Sequence, residues 1–130
     1  MNSYYSCLDS ILTTPQAEQH HWINKIAELN NGKVVFYGTE EYFVLDSQPF
    51  ILNKLTRTPN LNGVIFFTLD QFCYGNKINL PLMVNIIKIK LSIHFARENV
   101  SIYDYEHLKD KHLELISYFH CKKQNEILIS

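Results

Sequence analysis

Residues Gly63–Gly75 read GVIFFTLDQFCYG, and this stretch decides the fold. From Val64 to Leu69 almost every side chain is apolar, so both alternating faces of an extended chain would be apolar. That pattern is typical of a central strand in a parallel sheet that is covered by helices on both sides. We therefore predict a buried central strand at Val64–Leu69, which runs into a loop that carries Asp70 and Gln71.

The segments around this strand alternate between strand and helix signals. Further strands are predicted at Tyr4–Leu8, Lys33–Tyr37 and Ser92–Ala96, where β-branched and aromatic residues cluster. Helices are predicted to begin at Thr14-Pro15, Asp46–Pro49, Leu80-Pro81 and about Tyr103, the last one ending near Cys121. Asn30–Gly32 and Thr58–Asn60 are the stop signals of the first two helices.

This alternation predicts an α/β fold with right-handed crossovers. The expected architecture has three layers: a parallel four-stranded sheet of order 2-1-3-4, with helices on both faces, as in flavodoxin-like proteins. No repeat or linker interrupts the sequence, so residues 1–130 are expected to form a single α/β domain.

Composition argues against several classes of function. Twelve basic and thirteen acidic residues give a formal charge of −1, so no nucleic-acid partner is expected. The N-terminal residues lack the pattern of a signal peptide and no apolar run is long enough to span a membrane, which predicts a cytoplasmic protein without a membrane partner. The three cysteines are far apart and form no C-x-x-C motif. No metal and no cofactor are predicted.

Polar residues follow the predicted strands at their carboxyl ends. Ligands bind beyond this edge in open α/β sheets, so the candidate ligand-binding residues are those that lie there. They are Asp9, Ser10, Asp70, Gln71, Arg97 and Glu98, of which Ser10, Asp70 and Glu98 are also candidates for catalysis.

Each candidate also has a structural interpretation. Ser10 is a possible nucleophile, but a serine in a polar loop commonly caps a turn. Asp70 can cap the turn after its strand, and Arg97 with Glu98 can form a local ion pair that holds the loop. Two further pairs are weaker candidates. Cys7 could be a thiolate with His94 as its base, and the adjacent His20 and His21 point too far apart on a helix to share a metal ion easily.

Several segments resemble a known family. They are TPQAEQ at a helix start, GTEEYF after the second strand, PNLNGVIFFTLDQF, and IHFARENVSI. Over about residues 4 to 102 the chain resembles the catalytic domain of serine recombinases (resolvase/invertase). It resembles more closely the sporadic carbohydrate cluster proteins, which are encoded among genes for bacterial surface-polysaccharide synthesis. The resemblance implies a resolvase-like scaffold.

The resemblance to recombinases implies Ser10 as a nucleophile that attacks a DNA phosphate, because it stands nine residues before Gln19. The family pattern also asks for three arginines, and this chain has Leu8, Gln71 and Tyr74 at those positions. Without these cationic groups the charge on a pentacovalent phosphate would not be neutralised, and the reaction should be lost.

We therefore expect an accessory protein of bacterial surface-carbohydrate biosynthesis, and whether it is an enzyme stays open. One alternative is a small carbohydrate- or nucleotide-sugar-modifying enzyme that uses Asp9, Ser10, Asp70 and Glu98. A second alternative is a degenerate recombinase-like domain associated with DNA. A homo-oligomer, specifically a homodimer, is also expected, because the helix from Leu80 has more apolar positions than one buried stripe requires. A protein partner in carbohydrate biosynthesis would fit the first hypothesis.

Overall fold

Strands and helices alternate along most of the chain. The computed structural model describes residues 1–8, 14–39, 48–74, 77–111 and 113–117. The strands are β1 (Asn2–Leu8), β2 (Gly32–Thr39), β3 (Gly63–Phe66), β4 (Cys73–Tyr74), β5 (Lys77–Ile78), β6 (Ser92–Phe95) and β7 (Val100–Ile102). The helices are α1 (Gln16–Leu29), α2 (Gln48–Arg57) and α3 (Leu80–Lys88), followed by helical residues at 105–111 and 113–117.

The main sheet has the order β2-β1-β3-β6-β7. Its first four strands are parallel, and their order is the one expected from the sequence. Strand β3 lies at the centre, and Val64, Ile65 and Phe66 have no exposed surface. The α/β class is therefore confirmed.

The sheet is not purely parallel and four-stranded, and that part of the prediction is wrong. A fifth strand, β7, pairs antiparallel to β6. The chain reverses direction within a short turn in which Asn99 has a φ of 54°, a left-handed conformation that asparagine tolerates better than most residues. With only three residues, β7 is too short for its side-chain alternation to be recognised in the sequence. The antiparallel pair of β4 and β5, with two residues in each strand, was not predicted for the same reason.

Helices cover both faces of the sheet. Ile23, Ile26 and Ala27 of α1 form one core cluster with Tyr4 and Ile65. The opposite face packs against α2, α3 and the C-terminal helical residues, in a larger cluster of buried side chains. That cluster includes Ile51, Leu55, Val64, Phe66, Leu82, Ile86, Phe95, Leu108 and Leu115. Successive residues of β3 thus enter different cores, as the pleat of a strand requires.

The start of α1 differs from the expected cap. Pro15, and not Thr14, occupies the N-cap position, and no side chain caps the helix there. Instead the buried Gln19 reaches back and donates from Nε2 to the carbonyl of Thr14 at 3.0 Å. At α3 the side chain of Asn79 accepts from the backbone N–H of Leu82 at 3.2 Å.

The edge strand β2 contains a bulge. Its register with β1 shifts so that Tyr4 pairs with Val34 and Tyr5 pairs with Phe36, which leaves Val35 as the extra residue. Phe36 consequently stacks on Tyr5, with ring centroids 5.9 Å apart. Val35 is 38% exposed, in contrast to the central strand.

Helix α3 carries the apolar residues that suggested a dimer. Three of its partly buried residues, Leu80, Val84 and Ile87, pack against the larger core cluster of the same chain. The chain itself thus covers part of the apolar surface that the sequence left unexplained. Within the described ranges, no helix has both the length and the apolar character needed to cross a membrane.

We predict that Ile65→Asp prevents folding, whereas Val35→Asp is tolerated. Ile65 is completely buried in the central strand, and an unpaired carboxylate there costs several kcal/mol against a total stability of about 5–15 kcal/mol. Val35 receives the same substitution at an exposed bulge. Circular dichroism and urea unfolding of both variants measure the difference. A folded Ile65→Asp protein with a cooperative transition would contradict the central placement of β3.

Candidate functional site

The carboxyl ends of β1, β3 and β6 meet at one edge of the sheet. Backbone hydrogen bonds continue beyond the strand ends there. The Phe67 N–H donates to the Cys7 carbonyl at 3.2 Å, and the Arg97 N–H donates to the Phe67 carbonyl at 2.8 Å. Residues 97 and 98 are consequently held beside the polypeptide that leaves β3.

That polypeptide forms a 3-10 turn at Leu69–Phe72, which is capped by Thr68. The Thr68 Oγ1 accepts from the Asp70 N–H at 3.2 Å, and the Gln71 side-chain oxygen accepts from the Thr68 N–H at 3.1 Å. This reciprocal pair is a capping box. The other end of the Gln71 amide donates to the Cys7 carbonyl at 3.3 Å. Gln71 has no exposed surface, so its side chain ties the turn to β1.

Glu98 joins the turn from the neighbouring loop. Its Oε2 accepts from the Thr68 hydroxyl at 2.7 Å, and its Oε1 accepts from the Leu69 N–H at 2.9 Å. The carboxylate side chain is only 10% exposed. Hydrogen bonds to an ionised acceptor are stronger than neutral ones, and a negative group suits the first turn of a helix. Glu98 thus stabilises the exact turn that carries Asp70.

Arg97 bridges two carboxylates. Its Nη2 lies 2.9 Å from the Asp70 Oδ2, and its Nε lies 3.1 Å from the Glu98 Oε2. The guanidinium carbon also lies 6.0 Å from the centroid of the Phe67 ring. We call Thr68, Asp70, Gln71, Arg97 and Glu98 the edge cluster. Its two carboxylates and one guanidinium sum to a formal charge of −1.

This charge balance limits the chemistry of the edge cluster. A site that transfers a phosphoryl group needs an excess of cationic donors around the phosphate oxygens. Here the single guanidinium is shared between two carboxylates, and Glu98 is engaged by the turn. The Asp70 and Arg97 side chains keep 18% and 40% of their surface exposed. The outer rim of the cluster is therefore accessible to a polar ligand, while its inner part is structural.

Four of the six predicted ligand-binding residues, Asp70, Gln71, Arg97 and Glu98, lie together in this cluster. Asp9 and Ser10 lie outside the described residues. Thr68 was not singled out from the sequence, although Thr68-Leu69-Asp70-Gln71 fits the capping-box pattern S/T-x-x-E/Q and could have indicated it.

The other candidate pairs are not assembled. Cys7 belongs to the core cluster beneath α2 and α3, whereas His94 lies against Tyr4 on the opposite face, two strands away. His20 contacts Tyr37, and His21 contacts Trp22. Among the residues that the structure describes, no group of three or more His, Cys, Asp or Glu side chains could hold a metal ion.

Two open clefts of the described surface lie away from the edge cluster. One, of about 260 Å³, is lined by Leu80, Val84, Tyr105, Leu108 and Lys109. The other, of about 400 Å³, lies between α1 and β2 and is lined by His20, Asn24 and Tyr37.

Comparison of the chain with models of known protein families and with curated proteins finds no match.

We predict that Glu98→Ala lowers the free energy of unfolding by about 1–3 kcal/mol, because it leaves the Thr68 hydroxyl and the Leu69 N–H without their acceptor. Glu106→Ala is the matched control, since Glu106 is exposed and its contact with Lys109 is a 3.7 Å surface pair worth at most about 1 kcal/mol. Urea unfolding of both variants measures the difference. Equal stability losses would show that Glu98 is not a structural group.

Proposed function

We propose that the chain is an accessory protein of bacterial surface-carbohydrate biosynthesis, without catalytic chemistry of its own, on a recombinase-like scaffold. One observation supports the proposed absence of catalytic chemistry. Arg97, the one cation among the described residues that form the edge cluster, is shared between Asp70 and Glu98. The carbohydrate context depends on the sequence resemblance alone. In this proposal the protein acts in the cytoplasm, as a homodimer that serves a protein partner of the same biosynthetic system.

The geometry of the edge cluster supports this proposal, because its polar groups already form hydrogen bonds within the chain. A general acid or base must offer its carboxyl group to a substrate. Glu98 instead accepts from a hydroxyl, a backbone N–H and a guanidinium of its own chain. Gln71, at a position where the recombinase pattern has an arginine, is buried and bonded to the backbone of β1 and of the turn. These residues maintain the shape of the edge, which is a requirement of a binding scaffold.

A small carbohydrate- or nucleotide-sugar-modifying enzyme is the second candidate function. The partial exposure of Asp70 and Arg97 favours it, because a carboxylate beside a guanidinium can hydrogen-bond the hydroxyl groups of a sugar. In that case Asp70 would face the substrate, and Arg97 would orient the Asp70 carboxylate and the substrate.

A thermal-shift screen with nucleotide sugars, free sugars and nucleotides separates these two functions. A ligand at 100 times its dissociation constant stabilises a protein by about 2.7 kcal/mol, which is easily measured. We expect no shift for the wild-type chain. A nucleotide sugar that stabilises the wild type but not Asp70→Asn would favour the enzyme over the accessory role. Asp110→Asn, on the C-terminal helical residues, is the matched control.

DNA processing is tested separately, because the recombinase resemblance makes it the main rival. We expect no cleavage of supercoiled DNA, no covalent adduct at Ser10, and no duplex binding tighter than the weak non-specific range of about 10⁻⁴ M at physiological salt. Incubation with plasmid, followed by denaturation and detection of protein-linked breaks, measures this directly. A linked product that disappears in Ser10→Ala would overturn the proposal and restore the recombinase function.

A further inference from the structure

His94 is the one histidine in the interior of the main sheet among the described residues. Its neighbours in β6, Ile93 and Phe95, point into the core beneath α2 and α3. Because side chains alternate along a strand, His94 points to the other face, where α1 packs. It has no exposed surface, and it lies at the outer side of the parallel strands, next to β7.

Two serine hydroxyls hold the imidazole ring. Nε2 lies 2.9 Å from the Ser92 Oγ, and Nδ1 lies 2.8 Å from the Ser101 Oγ on β7. The Ser92 Oγ is also 3.3 Å from the Asn62 carbonyl. A neutral imidazole has one donor and one acceptor, so either tautomer is fully satisfied here. The hydroxyls could turn to accept from an imidazolium, but they carry no charge to balance it.

The described groups that contact the ring or lie next to it carry no negative charge that could balance an imidazolium. Tyr4 of β1 and Tyr103, just after β7, contact the imidazole in T-shaped arrangements, with ring centroids 5.4 and 5.5 Å away. His107 stacks on Tyr103, with ring centroids 5.7 Å apart. From α1, the buried apolar residues of this face are Ile23, Ile26 and Ala27, and the adjoining Asn30 accepts from the Tyr103 hydroxyl at 3.0 Å. No carboxylate occurs in this set.

Burial therefore lowers the pKa of His94 from its ordinary 6.5 to about 4. The folded state takes up this proton less readily than an opened state does. The contribution of His94 to the free energy of opening is therefore fully present above about pH 6.5. It is lost as the pH falls from there towards about 4.

Strand β7 is the element that can detach to let water reach a protonated His94 ring. It has three residues and, in the part of the chain that the structure describes, lies at the edge of the sheet and pairs with β6 alone. Val100 and Ser101 are only partly buried, and Ile102 is its one fully buried side chain. On its other side β6 is held by the central strand β3. Hydration of a protonated ring is thus reached most easily by opening the outer side.

We propose that His94 holds the edge strand β7 on the sheet only while its ring is uncharged. Protonation of its ring releases β7 and Tyr103 from the sheet and leaves the parallel strands in place. The released state exposes the backbone edge of β6, which is a surface on which another strand can pair. In this proposal, β7 covers the outer edge of β6 at neutral pH and leaves it accessible at acidic pH.

Amide hydrogen exchange of the full chain, followed by NMR and corrected for intrinsic exchange rates, tests this proposal. We expect the β7 amides to open more readily than the β3 amides at every pH. Their opening constant should rise roughly 30-fold between about pH 7.5 and about pH 5, as follows from a pKa that returns to its ordinary value on opening. In His94→Gln, which keeps a polar side chain but cannot take up a proton, this rise should disappear.

Two results would overturn the proposal. One is an identical opening constant for β7 and β3, which would mean that the sheet opens only as a whole. The other is an unchanged rise in His94→Gln. If the His94→Gln variant does not fold, a measurement on the wild-type protein tests the proposal instead. His94 ring resonances that titrate near pH 6.5 while the β7 amides stay protected would refute it.

Discussion

The complete burial of β3 is the constraint on which the rest of the structure depends. A strand with apolar side chains on both faces is stable only if a layer covers each face, and its backbone groups need a paired strand on each side. Strands β1 and β6 provide the pairing, while α1 covers one face and α2, α3 and the C-terminal helical residues cover the other. Strands β1, β2, β3 and β6 run parallel because the connection between one and the next returns the chain to the same end of the sheet.

The edge cluster is the consequence of ending such a strand. Where β3 leaves the sheet, its backbone N–H groups lose their ladder partners and must find others. Thr68, Gln71 and Glu98 supply them, and Arg97 neutralises part of the carboxylate charge that accumulates. The same polar residues that resemble an active site in the sequence thus have structural duties. This is the physical ground for favouring a scaffold over an enzyme, with the exposed rim of Asp70 and Arg97 as the part left for a ligand.

His94 shows the opposite case, a polar residue placed inside the sheet. It lies between Ser92 and Ser101 and thereby joins β6 to the antiparallel strand β7. Burial favours the uncharged state of its ring, and the proposed pH dependence of β7 starts from that preference. The antiparallel fifth strand and this histidine are thus linked through the Ser101 hydroxyl.

The sequence by itself determined the α/β class, the four parallel strands with their order, and the gathering of Asp70, Gln71, Arg97 and Glu98 at one edge. These features follow from local patterns: the apolar run of β3, the helical stripes, and the rule that parallel strands end at a common edge. Only the tertiary structure decided that β7 turns back beside β6, that Gln71 points inward, and that Arg97 is shared by two carboxylates. Strand β7 lies close to β6 in the sequence, but its three residues are too few for a strand pattern to be recognised. The polar groups find partners far away in the chain, such as Thr68 for Glu98 and Cys7 for Gln71, and no local pattern encodes which partner such a group will find.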